Sequence, residues 1–529
     1  MGFHLHQLID TRSGPLRGVE DAHETWAWRG IPFAAPPVGE LRWKAPRPVE
    51  PWSEPRDASR FGALAMQAVR REDRHRLSED CIYLNVWRPR TQERGLPVYF
   101  WIHGGGNTVA MPAPARTPGC VVAGRSNVVF VSIHYRLGEL GWFAHPCLRT
   151  GKPGDALDDS GNYGLLDVIA ARRWVQDNIE AFGGDPRRVC VTGESAGAYN
   201  ALCLLLSPAA RGLFHCAMAQ SGRQDTYSLD EADRRGTAVL RALLVDEGSA
   251  ASAEEARAKL EKWSQDETAS YLRSRSFGDL LRTRRSVPFF AGFRDGAAIC
   301  REGFAAFRAG TQPNKVPTIV GMNREEAKFQ LASAAVYDRL DAKTYAALAR
   351  YMSDLKKASG ADDVLRAIAT GPEPPPVYSY VMSWGARDAH GRSAAAEPVA
   401  SRVGACHGID IPFFLGDFAS SGALGFIASG FTDQNLAGRL ALSEAMMRYA
   451  AQFARTGDPN PPDGSLPAWR PWAKEAGAPK AIVFDADEQS ARITTTREEL
   501  REAAVRAALA TQPEELRKRV LEAAAALRS

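Results

Sequence analysis

The chain has 529 residues, 45% of them hydrophobic, and a formal net charge of +4. That length can bury a large core, and one elaborated α/β domain is more economical than several small ones. So small a charge gives no basis for a nucleic-acid or membrane partner.

βα alternation from about Pro97 to Ser221 predicts a mostly parallel sheet covered by helices. A strand near Val98 to Ile102 runs into His103-Gly104-Gly105-Gly106, a turn whose glycines let main-chain amides approach a substrate. A phosphate cradle is the rival reading, but neither G-x-G-x-x-G nor G-K-[ST] follows. Further strands are expected near Val128 to His134 and over Val189 to Thr192. The latter meets Gly193-Glu194-Ser195-Ala196-Gly197 and then a helix-forming run from Tyr199 to Leu206, the strand-turn-helix context of a nucleophile elbow. Outside that context the pentapeptide is a glycine-bounded turn whose serine caps a helix. Another strand is expected near His215 to Gln220.

From Ser228 to Ser286 the sequence is charged, alanine-rich and helical in character. With the segment from Ala332 to Ala369 it is the expected cap over the pocket, about 225–290 and 332–370. Val316 to Met322 reads as a buried strand ending in a polar loop with Glu325 and Glu326, and Gly371-Pro372-Glu373-Pro374-Pro375-Pro376 as stiff loop. Gly404-Ala405-Cys406-His407-Gly408 is a small-residue loop feeding the apolar run from Ile409 to Phe414. The catalytic body is expected over 1–494, with a helical tail, rich in Ala, Glu and Arg, packed on it over 495–529.

A serine hydroxyl is a poor nucleophile until a base takes its proton, and an acid must hold that base in the right tautomer. Three histidines follow Ser195: His215, His390 and His407. His215 precedes an apolar run and reads as a packed structural residue, and His390 sits in an exposed turn. His407, on a small-residue loop of the kind that presents catalytic groups, is the candidate base. Glu325 or Glu326, at the carboxyl end of a core strand, is the candidate acid, although a glutamate in such a place more often complements a helix dipole. The first amides of the helix after Ser195 can stabilise an oxyanion together with those of the glycine turn.

The stretch Phe182 to Gly197 resembles the serine signature of type-B carboxylesterases, the group that includes cholinesterases and bacterial para-nitrobenzyl esterases, and Ser78 to Val86 resembles their second signature. Further similarity covers Arg29 to Ala34 with Pro36 to Gly39, Tyr135 to Gly138, Gly161 to Asp167 and Phe453 to Asn460. The resemblance implies an α/β-hydrolase fold, Ser195 as nucleophile, His407 as general base, and Glu326 rather than Glu325 as the acid. It implies oxyanion donors at the amides of Gly105, Gly106 and Ala196, and a buried acid, Glu194, tuning the site. It also implies structural ion pairs of Arg42 with Glu79 and of Arg136 with Asp167.

Departures from the family pattern carry their own expectations. Alanine stands where secreted members place the partner of the second-signature cysteine, so Cys81 is expected to be unpaired. The short loop before it lacks the tryptophan with which cholinesterases stack a quaternary ammonium, which argues against a choline ester. Asn107-Thr108-Val109-Ala110-Met111-Pro112 follows the glycines where the family has an aromatic residue and another glycine, so the oxyanion loop is expected to differ in shape. Arg223 stands where serine is common. An outward, solvated Arg223 is expected, since arginine is rarely buried unless paired; an inward one would favour a carboxylate-bearing acyl group.

Eight cysteines without C-x-x-C or paired zinc spacing give a metal no support, and their scatter through apolar runs suits a reducing compartment. The N-terminus reads as lacking a secretory leader, and no apolar stretch is long enough to cross a bilayer, so a cytoplasmic location is expected, although a secreted mature form reads the same. The function expected is cleavage of small-molecule carboxylic esters through an acyl-enzyme, without cofactor, by a monomer or weak homo-oligomer. The alternatives are a hydrolase for acidic, carbamate or lactone substrates and a non-catalytic binding member of the same fold.

Overall fold

Strands that are buried on both faces read as unbroken apolar runs, and Leu96–Ile102 and Thr318–Asn323, with every residue buried, are of this kind. The structure, a computed structural model, describes residues 7–68, 71–110, 119–283, 290–333, 336–419 and 427–527. Among the described residues, eleven strands form one sheet. In chain order they are β1 (Val19–Asp21), β2 (Thr25–Pro32), β3 (Tyr83–Pro89), β4 (Leu96–Ile102), β5 (Val129–Ile133), β6 (Gly184–Glu194), β7 (Cys216–Gln220), β8 (Thr318–Asn323), β9 (Val377–Met382), β10 (Ala481–Ala486) and β11 (Ala491–Thr496). Their spatial order is β11-β10-β9-β8-β7-β6-β4-β5-β3-β2-β1. The strands from β5 to β10 run parallel, and antiparallel strands close both sides.

Side chains alternate between two cores. Val98, Phe100 and Ile102 of β4 face one, with α1 (Tyr163–Asn178) and α2 (Ala196–Leu205), while Tyr99 and Trp101 face the other, with α5 (Leu436–Thr456). The expected cap segments contain α3 (Leu229–Asp246) and α4 (Ala342–Lys357), with shorter helices at Ala253–Leu260, Gln265–Ser274 and Phe277–Arg282. Capping boxes at Ser228, Ser264 and Ser276, each closed by an acidic residue three positions on, explain where three of these helices begin. The parts of the expected caps at 284–289 and 334–335, and Met111 and Pro112 of the oxyanion loop, lie outside the described residues.

β11 runs to Thr496, so the helices of the C-terminal tail begin later than position 495. They are α6 (Glu502–Ala510) and α7 (Glu514–Ala526), and their Val505, Leu509, Val520 and Ala524 pack with Tyr345, Leu348 and Tyr351 of α4. Among the described residues no helix is long and apolar enough to cross a membrane.

Parallel pairing brings the carboxyl ends of five neighbouring strands into line: Gly193 lies opposite Ile102, Glu194 opposite Gln220, Gln220 opposite Gly321 and Asn323 opposite Met382. These strand ends and the segments that leave them carry every candidate residue.

Candidate active site

Ser195 follows the last residue of β6 and precedes the first of α2, with φ 58° and ψ −117°. A non-glycine residue in this sparsely populated conformation is strained, and strain of this kind marks the sharp turn that lifts a side chain off the end of a sheet. Its amide donates to the Gln220 carbonyl at 2.8 Å and its carbonyl accepts from the Tyr199 amide at 2.9 Å, which fixes the turn from both sides. Ala196 opens α2, where a helix has amides without an intrahelical carbonyl to accept them.

The glycine loop leaving β4 lies against this elbow. A Cβ on Gly104 would sit 2.8 Å from Glu194 Oε2 and 3.2 Å from Ser195 Cβ. Gly105 has φ +105°, and a Cβ there would collide with the Val109 carbonyl oxygen, so no other residue fits this turn. Asn107, the first residue after the glycines, is buried and anchors the loop. Its Nδ2 donates to the Phe290 carbonyl at 2.8 Å, and its Oδ1 accepts from Asn200 Nδ2 at 2.9 Å and from the Tyr135 hydroxyl at 3.2 Å. The Phe290 amide in turn donates to the Gly106 carbonyl at 3.2 Å. An apolar cavity of about 200 Å³, lined by Trp142, Phe143, Tyr227, Phe290 and Phe293, adjoins this loop.

His407 Nδ1 lies 2.6 Å from Glu326 Oε2. Glu326 is buried, and its other oxygen accepts from the Asn323 amide at 2.9 Å and from the Ser221 hydroxyl. Glu325 points elsewhere: it accepts the Ala405 amide at 3.0 Å and pairs with Lys328 at 2.6 Å. His407 Nε2 lies 3.2 Å from Glu194 Oε1, and Ser195 Oγ makes no hydrogen bond to a described residue. The structure therefore joins Glu326, His407 and Glu194 directly and places Ser195 next to them, one hydrogen bond short of a continuous relay. Catalytic hydrogen bonds in unliganded sites are often long and tighten only with substrate.

Burial pushes the Glu194 carboxyl up to about 8, with His407 pulling the other way. Burial alone would depress the His407 imidazolium, but the charges of Glu194 and Glu326 outweigh it and raise its pKa to about 9. Burial likewise opposes ionisation of Glu326, yet His407 and the hydroxyl of Ser221 hold its pKa below the ordinary glutamate value. The site is thus arranged to stabilise an imidazolium on the Glu326 carboxylate, with Glu194 adding a second negative charge once it ionises.

Three contributors were not singled out from the sequence. Ser221, held at φ 56°, and Asn323 complete the hydrogen bonds of Glu326. Asp410, fully buried, accepts from the Tyr380 hydroxyl and from Asn323 Nδ2 at 3.1 Å, and so fixes the loop beyond His407. The positive φ of Ser221 has no signature in composition; Asn323 and Asp410 were visible only as polar residues embedded in apolar runs.

Arg223 is 53% exposed and pairs with Asp225. His215 Nδ1 lies 2.9 Å from the Val189 carbonyl, within the protein body, and His390 is exposed. Arg42 bonds Glu79 through Nε at 2.8 Å, and the buried Arg136 bonds Asp167 at 2.8 and 2.7 Å. All eight cysteines carry free thiols, Cys81 among them. Among the described residues no group of three or more His, Cys, Asp or Glu side chains is placed to hold a metal ion.

The model of the carboxylesterase family matches residues 6–343 and 333–503. The chain is 36% identical over 357 residues to fumonisin B1 esterase of Sphingopyxis macrogoltabida, a match covering 65% of this chain and 59% of that one. It is 39% identical over 248 residues to para-nitrobenzyl esterase of Bacillus subtilis, covering 46% and 49% of the two chains, so the chain spans less than two thirds of either relative's length in these matches. Mouse carboxylesterase 1E is 31% identical, with 89% of each chain covered. Among solved structures, a carboxylesterase of Geobacillus stearothermophilus superimposes with a TM-score of 0.72 at 26% identity, over 95% of this chain and 100% of that one. A para-nitrobenzyl esterase does so with 0.71 at 25%, over 95% and 99%. The likeness and the mostly parallel sheet identify the α/β-hydrolase fold.

Proposed function

The chain belongs to the carboxylesterase family, and from that premise we propose that it hydrolyses small-molecule carboxylic esters with Ser195, His407 and Glu326 as its triad. The observation that carries this reading is the 2.6 Å contact of His407 with Glu326, beside a serine in the strained elbow conformation. Ser195 Oγ attacks the ester carbonyl while His407 Nε2 takes the hydroxyl proton, after a small turn of the serine side chain brings the two together. The charge that develops on the carbonyl oxygen rests on the amides of Gly105, Gly106 and Ala196, and Glu326 stabilises the imidazolium. Collapse of the tetrahedral intermediate breaks the carbon–oxygen bond, and His407 returns the proton to the departing alcohol. Water, deprotonated by His407, then attacks the acyl-enzyme and releases the acid, with the proton going back to Ser195.

Glu194 sits close enough to His407 Nε2 to act on the imidazolium as a second anion. The segments around α3 and α4 cap the pocket in this reading, and the free thiols support a reducing, cytoplasmic setting. Labelling by a fluorophosphonate probe, together with hydrolysis of para-nitrophenyl esters, tests the proposal. The wild-type chain labels and turns over, and Ser195→Ala does neither. An unlabelled wild-type chain would leave a non-catalytic binding role in its place.

A further inference from the structure

The turn after the glycines is closed by Thr108, whose amide donates to the Gly105 carbonyl at 3.0 Å. The two central residues of this turn have positive φ, 65° at Gly106 and 56° at Asn107, and glycine and asparagine adopt such mirror-image turns most readily. Asn107 and Ala110 are anchored outward, Asn107 to the Phe290 carbonyl and Ala110 through its amide to Gln67 Oε1 at 2.9 Å. Thr108 turns back on the loop instead. Its hydroxyl donates to the same Gly105 carbonyl at 3.1 Å, and the Val109 amide joins it there at 3.0 Å.

A peptide unit is planar and trans, so its N–H points opposite to its C=O. Holding the Gly105 carbonyl therefore aims the Gly106 amide. The preceding unit is held in the same manner, because His103 Nδ1 lies 2.8 Å from the Gly104 carbonyl, at the other end of the peptide that carries the Gly105 amide. Among the described residues neither the Gly105 nor the Gly106 amide donates to an acceptor, so both are free to meet an oxygen of a ligand. A hydrogen bond accepted at the carbonyl end also polarises the unit and strengthens its N–H as a donor. Resting on the esterase reading above, we propose that Thr108 is a positioning residue for ester cleavage, its hydroxyl locking the Gly105–Gly106 peptide so that the Gly106 amide meets the oxyanion of the tetrahedral intermediate.

The test measures Thr108→Val, Thr108→Ala and Thr108→Ser in hydrolysis of para-nitrophenyl butyrate and in inhibition by a short alkyl trifluoromethyl ketone. The ketone adds to a nucleophilic serine and places an oxyanion where the intermediate has one. Deleting an oxyanion donor costs about 10²- to 10³-fold in kcat, and a smaller loss is expected here because the backbone bonds of the turn persist. Thr108→Val and Thr108→Ala lower kcat about tenfold with KM changed by less than about twofold, weaken the ketone by the same factor, and Thr108→Ser restores both. A purely structural loss would lower the melting temperature and leave the ketone affinity of the folded protein unchanged. Wild-type kcat in Thr108→Val and Thr108→Ala, a fall in kcat without a matching loss of ketone affinity, or a Thr108→Ser variant as impaired as Thr108→Val overturns the assignment while leaving the esterase reading intact. A wild-type chain that neither cleaves the ester nor binds the ketone overturns both.

Discussion

Glu325 and Glu326 are adjacent in the chain yet hold the loop of His407 at two different points. Glu326 takes the imidazole at 2.6 Å, and Glu325 takes the backbone amide of Ala405 at 3.0 Å. A strand end followed by a short turn thus yields one carboxylate for the ring and one for the chain that carries it. Glu326→Gln keeps the size but reverses part of the hydrogen bonding at Nδ1, and is expected to lower kcat by roughly 10³- to 10⁴-fold with KM little changed. Glu325→Gln is expected to show its larger effect in thermal stability, since Lys328 loses its counter-ion. Steady-state kinetics and melting curves of the two variants check this, and a larger kcat loss in Glu325→Gln would reverse the assignment.

Two acidic side chains facing one imidazole, Glu194 and Glu326, make a prediction about pH. General-base catalysis needs neutral His407, so with its pKa raised to about 9 the rate climbs as pH rises through the alkaline range. Glu194→Gln removes one of the charges that raise it. The imidazolium then loses its proton at lower pH, and the acid limb of kcat/KM moves down by roughly one unit. A limb that stays in place would show that Glu194 does not act on His407.

The oxyanion loop offers a prediction at a residue without chemistry of its own. Asn107→Ala leaves the Phe290 carbonyl and the side chain of Asn200 without their buried partner, a cost of about 1–3 kcal/mol in stability. The loop that supplies the amides of Gly105 and Gly106 also loses its anchor, and kcat is expected to fall roughly 10²-fold, the size associated with losing one oxyanion donor. Chemical denaturation and kcat measured on the same preparation check both numbers. A variant destabilised but fully active would mean that the glycines hold their shape unaided.

How much of this was legible in the residues follows from what each feature depends on. The elbow, the glycine turn and the core strands are local: small residues where the backbone is crowded, and apolar runs where both faces are buried. The choice between Glu325 and Glu326 is not local, because two adjacent carboxylates look alike until a third element, here the 404–410 loop, is brought against them. Resemblance to a family selected Glu326, and composition alone did not. The contact between Glu194 and His407 Nε2 likewise depends on side-chain rotation at the end of the sheet.

Arg136 and Asp167 provide the last test, because their burial is nearly complete, at 3% and 0% exposure, and they lie outside the reacting groups. Asp167 accepts from the guanidinium at 2.8 and 2.7 Å and from the Arg136 amide at 2.9 Å. A buried pair gains little over an apolar substitute, but removing one partner leaves an uncompensated charge, and Asp167→Asn is expected to cost about 3–5 kcal/mol. The Arg42–Glu79 pair is more open, at 12% and 20% exposure, so Glu79→Gln is expected to cost about 1 kcal/mol, since water can screen the cation left behind. Denaturation midpoints would show the ordering, with KM for a neutral ester unchanged in both variants while the protein stays folded. A rise in KM in Asp167→Asn at a temperature well below its melting transition would mean that the pair shapes the pocket directly.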